Sequence, residues 1–227
     1  MQTYRDSIGR TFAALGATVL LALGTAAPGA AQGMDDSKWS VDGRAGVTVP
    51  TGDLADLNVA DVGPAGGLGV GYEVHPRVTI TADGAVEMLP GDSPAGGSDS
   101  NPAGSALAPD LRLYHYNAGV EVELTPPETG RFDVTANVAG GATTWDTDQF
   151  TANGTRAELS ETYLTANGGL EAGYRVSRSV NAFVGGQWYM QFTDEAETAP
   201  LAQTADLGEG FDTASTIPVY AGFELSF

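Results

Sequence analysis

Eight stretches of this chain alternate strictly between apolar and polar residues. Such a period of two marks a strand whose two faces meet different surroundings. In the first stretch Trp39, Val41, Gly43, Ala45, Val47 and Val49 share one face; Ser40, Asp42, Arg44, Gly46 and Thr48 share the other. In the third, Val78, Ile80, Ala82, Val86 and Met88 oppose Thr79, Thr81, Asp83 and Glu87. The fourth sets Tyr114, Tyr116, Ala118, Val120, Val122 and Leu124 against His115, Asn117, Glu121 and Glu123. The last ends the chain with Val219, Ala221, Phe223, Leu225 and Phe227 against Tyr220, Gly222, Glu224 and Ser226. The predicted strands run roughly over 38–50, 66–75, 78–89, 111–124, 132–145, 163–176, 180–192 and 217–227. Most approach the ~9–11 residues that a tilted membrane-crossing strand requires.

The connections alternate too. His75-Pro76-Arg77, Thr125 to Arg131 and Ser177-Arg178-Ser179 are short. Thr51 to Pro64, Pro90 to Asp110, Asp146 to Glu161 and Thr193 to Ser215 are long and rich in Gly, Ser, Asp and Thr. Ordinary hairpin loops hold about 2–5 residues. Short and long connections taking turns are the habit of outer-membrane barrels, with short periplasmic turns and long external loops. The expected fold is therefore all-β, an eight-stranded antiparallel up-and-down transmembrane barrel. In hydrocarbon every backbone N–H and C=O needs a partner, so such a sheet must close.

Residues 1–31 have a different character. Arg5 and Arg10 precede an apolar run from Phe12 to Ala27, followed by Pro28-Gly29-Ala30-Ala31. This is the layout of a cleaved secretory signal, cut after Ala31, with the barrel occupying 32–227. The apolar run is shorter than the ~20 residues of a spanning helix. Across the full 227 residues there are 29 acids, ten bases and no Cys, a net charge of −19. Without Cys there is no disulfide framework, no thiolate nucleophile and no Cys-ligated metal. So negative a chain repels phosphate backbones and is not expected to bind nucleic acid. Removal of the signal leaves 28 acids, eight bases and a net −20, with Lys38 the sole lysine. Acid-rich, lysine-poor surfaces suit a protein kept hydrated in concentrated salt, so a halophilic source is expected.

Alternation alone leaves open which face points inward. A soluble lipocalin-like barrel, with its apolar face inward around a small apolar ligand, shows the same period. Two features favour lipid on the apolar side. Asp42, Arg44, Glu73, Asp83, Glu87, Glu121, Glu123, Asp133, Glu171, Arg175 and Glu224 all fall on the polar face, which leaves the apolar face free of charge between strand ends. Trp39, Tyr72, Phe132, Tyr174 and Phe227 collect at one level of the apolar face, where an aromatic girdle would sit.

The carboxy-terminal stretch from Tyr220 to Phe227, with Gly222, Leu225 and the terminal Phe227, resembles the signal read by the barrel-assembly machinery of outer membranes. Val47-Thr-Val-Pro50-Thr-Gly52-Asp53-Leu54, followed by Gly66-Gly-Leu-Gly-Val-Gly71-Tyr72, resembles the first hairpin of the bacterial outer-membrane β-barrel domain family. From 38 to 227 the chain is similar to the eight-stranded members typified by OmpX and the transmembrane half of OmpA. That resemblance implies an outer-membrane protein in contact with lipid and assembled through its last strand; the peptidoglycan-binding domain that OmpA-like proteins carry is not expected, for want of room after Phe227. It implies a scaffold with structural or surface-interaction roles and little shared chemistry.

Within the lumen, Arg44 stands among Asp83, Glu121, Glu171 and Glu224 as a candidate ion-pair network. The alternatives are a polar core held by ion pairs and water, or a narrow cation-biased channel. His75 lies in a Pro turn; His115 is expected in the loop-side lumen beside Glu87 or Tyr189. No Ser-His-carboxylate pattern surrounds Ser105 or Ser160, so no catalytic residues are assigned. Asp146-Thr-Asp148 and the acids from Asp206 to Asp212 lack the spacing of a calcium loop, so no metal site and no cofactor is expected. Asn153-Gly154 is a turn signal. An unknown surface ligand, if any, would meet the four long loops.

Overall fold

A computed structural model describes residues 38–56, 60–91, 110–125, 130–148, 150–152, 155–204 and 210–227. The expected signal, 1–31, lies outside the described residues, as do Ser105, Asn153, Asp206 and Glu209. Eight long strands close on themselves: β1 (Trp39–Thr51), β2 (Gly63–His75), β3 (Val78–Leu89), β4 (Leu111–Glu123), β5 (Phe132–Thr147), β8 (Ser160–Arg175), β9 (Val180–Phe192) and β10 (Thr213–Ser226). A small hairpin, β6 (Phe150–Ala152) and β7 (Thr155–Ala157), extends the β5–β8 connection. Two helices sit in loops: α1 (Asp53–Asp56) and α2 (Glu195–Thr204).

Each long strand pairs antiparallel with its sequence neighbour, and β1 pairs with β10 to close the ring. The closing register runs from Ser40 opposite Ser226 to Thr51 opposite Ser215. The strands hold 12 to 16 residues. At about 3.3 Å per residue and a tilt near 40°, even the shorter ones rise about 30 Å, the thickness of a bilayer's hydrocarbon core. One end carries the three short connections (the turn end) and the other the four long ones (the loop end).

The outward face is apolar. Leu164, Phe132, Val138, Phe223, Leu170, Val184 and Tyr116 are each more than half exposed. The inward face carries Asp42, Arg44, Asp83, Glu87, His115, Asn117 and Glu171. This orientation corrects the lipocalin-like alternative. A soluble barrel buries its apolar face, and here that face covers the outside as a belt far broader than the few hundred Å² monomers in water tolerate.

The ring is tight, and glycine permits it where strands approach most closely. A Cβ on Gly46 would strike the backbone of β10, within 2.7 Å of the Tyr220 Cα. Gly222 lies under the ring of Phe183, which fills the lumen from β9. Such small–large matching fills a narrow barrel.

The loop end departs from the expectation of plain loops. Inward-facing positions change from polar to apolar there: Leu89 on β3, Leu111 and Leu113 on β4, Trp145 on β5 and Tyr163 on β8 are buried. Leu54 of α1, Leu201 of α2, Leu159 and Phe211 join them in one cluster. Trp145 meets Tyr163 edge-on, ring centres 5.4 Å apart, and Phe211 at 6.1 Å. The loops thus fold over the barrel and share a second core with its rim.

Candidate functional site

The lumen is layered, and the register sets the layers. β1 places Arg44 opposite Gly67 on one side and Gly222 on the other, which leaves room for its long side chain to cross the barrel. Two strands away, Asp83 lies opposite Gly69 and Asn117. Arg44 Nη2 donates to Asp83 Oδ1 at 2.6 Å, with both side chains about nine-tenths buried. Asn117 Nδ2 donates to the same oxygen at 3.3 Å. The Arg44 guanidinium lies over the ring of Tyr220, 5.1 Å from its centre. Tyr220 in turn donates its hydroxyl to Glu171 at 2.7 Å. Charge, ring face and phenol thus link four strands.

The five lumenal residues singled out by sequence therefore separate. Arg44 and Asp83 form a direct pair, and Glu171 joins them through Tyr220. Glu121 and Glu224 line the same cavity of about 60 Å³ and stand in no ion pair with Arg44. One guanidinium reaches one carboxylate closely, and shear between strands decides which. Sequence reasoning missed Tyr220 as the bridge; its inward phase on β10 was the available signal.

Toward the loop end lies a second polar layer. Thr48 Oγ1 donates to Glu87 Oε2 at 2.8 Å. The other Glu87 oxygen is 3.2 Å from His115 Nε2. His115 Nδ1 lies 2.8 Å from Thr143 Oγ1, which contacts the Thr165 hydroxyl. The imidazole also packs on Tyr189, ring centres 4.3 Å apart. His115 thus meets both expected neighbours. Its ring is fully buried, and hydroxyls and a carboxylate join it in a Thr–Glu–His–Thr chain.

Toward the turn end the lumen widens into a mouth of about 190 Å³ lined by Glu73, Glu123, Asp133, Arg77, Arg175 and Arg178 among others. Outside it, Trp39 packs on Tyr72 at 4.8 Å and Phe132 on Tyr174 at 5.0 Å. Each is a cross-strand pair at the turn end. The carboxy-terminal motif divides between faces: Tyr220 and Gly222 point inward, while Leu225 and Phe227 fall in the outward phase. At the loop end, Arg112 reaches Asp146 at 3.6 Å and Asp148 at 3.4 Å, so these acids are bound to a cation of the chain itself. Asp194 caps α2 by accepting from the Ala196 N–H at 2.8 Å. Thr198 fixes that helix to Phe211 with two hydrogen bonds of 2.8 Å.

No family description and no curated protein matches this sequence. Solved structures do. A major outer membrane protein from Thermus thermophilus is similar over 84% of this chain and 99% of its own, at 10% identity and a TM-score of 0.50. Neisserial surface protein A matches over 83% of this chain and 97% of its own, at 12% identity and a TM-score of 0.49. Ail, the attachment invasion locus protein of Yersinia pestis, matches over 83% and 99%, at 12% identity and 0.46. The chain has the closed antiparallel barrel fold found in outer-membrane β-barrel proteins.

Proposed function

We propose that this chain is exported by its amino-terminal signal and inserted in an outer membrane, where it serves as a non-conducting scaffold presenting four acidic loops for surface interaction. The observation that carries this reading is the apolar outer belt around a polar lumen whose loop end holds a buried apolar cluster. Lipid replaces water on the belt, and closure satisfies the backbone. Loops anchored on a rigid barrel are where recognition residues collect. The carboxy-terminal strand, with Tyr220, Gly222, Leu225 and Phe227, would engage the assembly machinery. Among the described residues, nothing in the lumen places a nucleophile near a base that a substrate can reach, which favours a binding role over an enzymatic one.

The buried cluster of Trp145, Leu113, Leu201 and Phe211 favours the closed scaffold over the cation-biased channel, because an ion would have to cross an apolar seal. Fractionation and planar-bilayer recording test the two halves of the proposal. The expected result is a detergent-extracted, heat-modifiable band and a silent bilayer. A soluble mature protein would overturn the membrane half, and steady cation currents the scaffold half.

A further inference from the structure

Closure of the barrel puts two carboxylates side by side. Asp42 on β1 stands directly opposite Glu224 on β10 in the closing register, and both line the central cavity of about 60 Å³. Like charges facing each other across neighbouring strands repel. Arg44, two residues along β1, does not pair with either, because it is drawn to Asp83 at 2.6 Å. Two further carboxylates line the same cavity: Glu121 from β4, and Glu171 from β8, which accepts the Tyr220 hydroxyl.

The mouth at the turn end does not supply the missing positive charge. It shares Thr79, Glu121 and Glu224 with the cavity, so the two spaces adjoin. Arg77, Arg175 and Arg178 line it together with Glu73, Glu123 and Asp133. Among the described residues, none of these three arginines forms an ion pair with a lumenal acid. Cavity and mouth together are lined by eight carboxylates and four guanidinium groups.

A second, independent observation points to a ligand. Asn167 lines the cavity from β8 and is 5% exposed, yet neither its Oδ1 nor its Nδ2 has a hydrogen-bond partner in the protein. Asp42 Oδ1 is likewise buried without a hydrogen-bond partner. Leaving a buried amide unpaired is costly, so the position calls for something polar beside it. The cavity has room for about four waters at roughly 10–15 Å³ each. Among the described residues no three acids or histidines converge to hold one ion, which argues against a dehydrated calcium cage. Mg²⁺ differs, because it gives up water reluctantly and is held by one or two carboxylates, with water completing its octahedron.

We infer that the central lumen binds one hydrated divalent cation of the Mg²⁺ type, with Asp42 and Glu224 as its carboxylate ligands. Glu121 and Glu171 add attraction across the lumen, and Asn167 Oδ1 accepts a hydrogen bond from a coordinated water. The ion enters by the turn-end mouth, past Glu121 and Glu224, without crossing the loop-end cluster. It ties the first strand to the last at the seam where the barrel closes. The inference requires the closed barrel and is independent of the surface role proposed above.

Mn²⁺, a paramagnetic stand-in for Mg²⁺, tests the site. The full chain is folded in zwitterionic micelles, stripped with EDTA and titrated with substoichiometric Mn²⁺ while its amide NMR signals are followed. The Gly43 and Phe223 signals should broaden before those of the acidic loops. Excess Mg²⁺ should restore them, whereas the same concentration of Na⁺ should not. D42N/E224Q should keep the heat-modifiable band and need at least about tenfold more Mn²⁺ for the same broadening. The mouth variant E73Q/E123Q should respond like the parent. Loop signals that broaden first, reversal by Na⁺ as complete as by Mg²⁺, or a parent-like response in D42N/E224Q would each overturn the inference. Loss of the response in E73Q/E123Q would also overturn it, by moving the ion to the mouth. If the double variant does not fold, the order of broadening and the Na⁺ arm in the parent still decide.

Discussion

Replacing Arg44 by Met should be far more damaging than replacing Asp83 by Asn, although each removes half of one ion pair. The reason lies in their neighbours. Among the described residues, Arg44 is the only base lining the central cavity, which also holds Asp42, Asp83, Glu121, Glu171 and Glu224. Its loss strands Asp83 with the Asn117 amide alone and removes the cation from the face of Tyr220. Breaking a buried pair so that one charge stays uncompensated costs about 3–5 kcal/mol. Asp83→Asn leaves the guanidinium among other carboxylates and on the Tyr220 ring, and the amide can still bond to Asn117. A cost of about 1–2 kcal/mol is expected there. The double variant should fall short of the summed single effects by about 1–3 kcal/mol, the coupling of residues in direct contact. Urea titration of the reconstituted protein, followed by tryptophan fluorescence and by the heat-modifiable band, measures all three. Equal costs for the two single changes would refute the reasoning, as would R44M within about 1 kcal/mol of the parent.

Trp145→Ala empties the centre of the loop-end cluster and should cost about 3–5 kcal/mol in the same titration; if the cluster is also the seal, planar bilayers should record openings absent from the parent. Gly46→Val would drive a side chain into the β10 backbone and should abolish the heat-modifiable form, whereas Gly43→Ala, whose added carbon would meet only Leu68 Cδ2 at 3.5 Å, should retain it. A cycle of Phe132→Ala and Tyr174→Ala should give a coupling of about 1 kcal/mol, the worth of a tilted aromatic pair, and no coupling would mean that the rings act only as separate anchors.

Much of the barrel was legible because strand phase is a local property. Val41, Asp42, Gly43 and Arg44 alternate whatever lies elsewhere in the chain, and the sorting of charge onto one phase identifies the lumen. The short and long connections likewise assign the two ends. The loop-end core was less legible. Leu89, Leu113 and Trp145 sit in the lumenal phase, yet their apolar character makes sense only once Leu54, Leu201 and Phe211 arrive from the loops. Those loops have compositions typical of solvated connections, and α2 even contains Pro200. Its helix rests on the Asp194 cap and on Thr198 bonding to Phe211, contacts that no local pattern encodes.

The sequence by itself determined which residues face the lumen, how many strands cross, and that the interior carries more acid than base. These follow from a two-residue period and from residue type, both read along a single strand. Only the tertiary structure decided that Arg44 pairs with Asp83, that Tyr220 carries Glu171 into the same network, and that Leu54, Leu201 and Phe211 of the loops share a core with the barrel rim. Closure brings Ser40 beside Ser226 across nearly the whole chain, and the stagger it imposes sets which side chains share a level. Electrostatics then acts over a few ångströms, where a shift of one register step exchanges one partner for another.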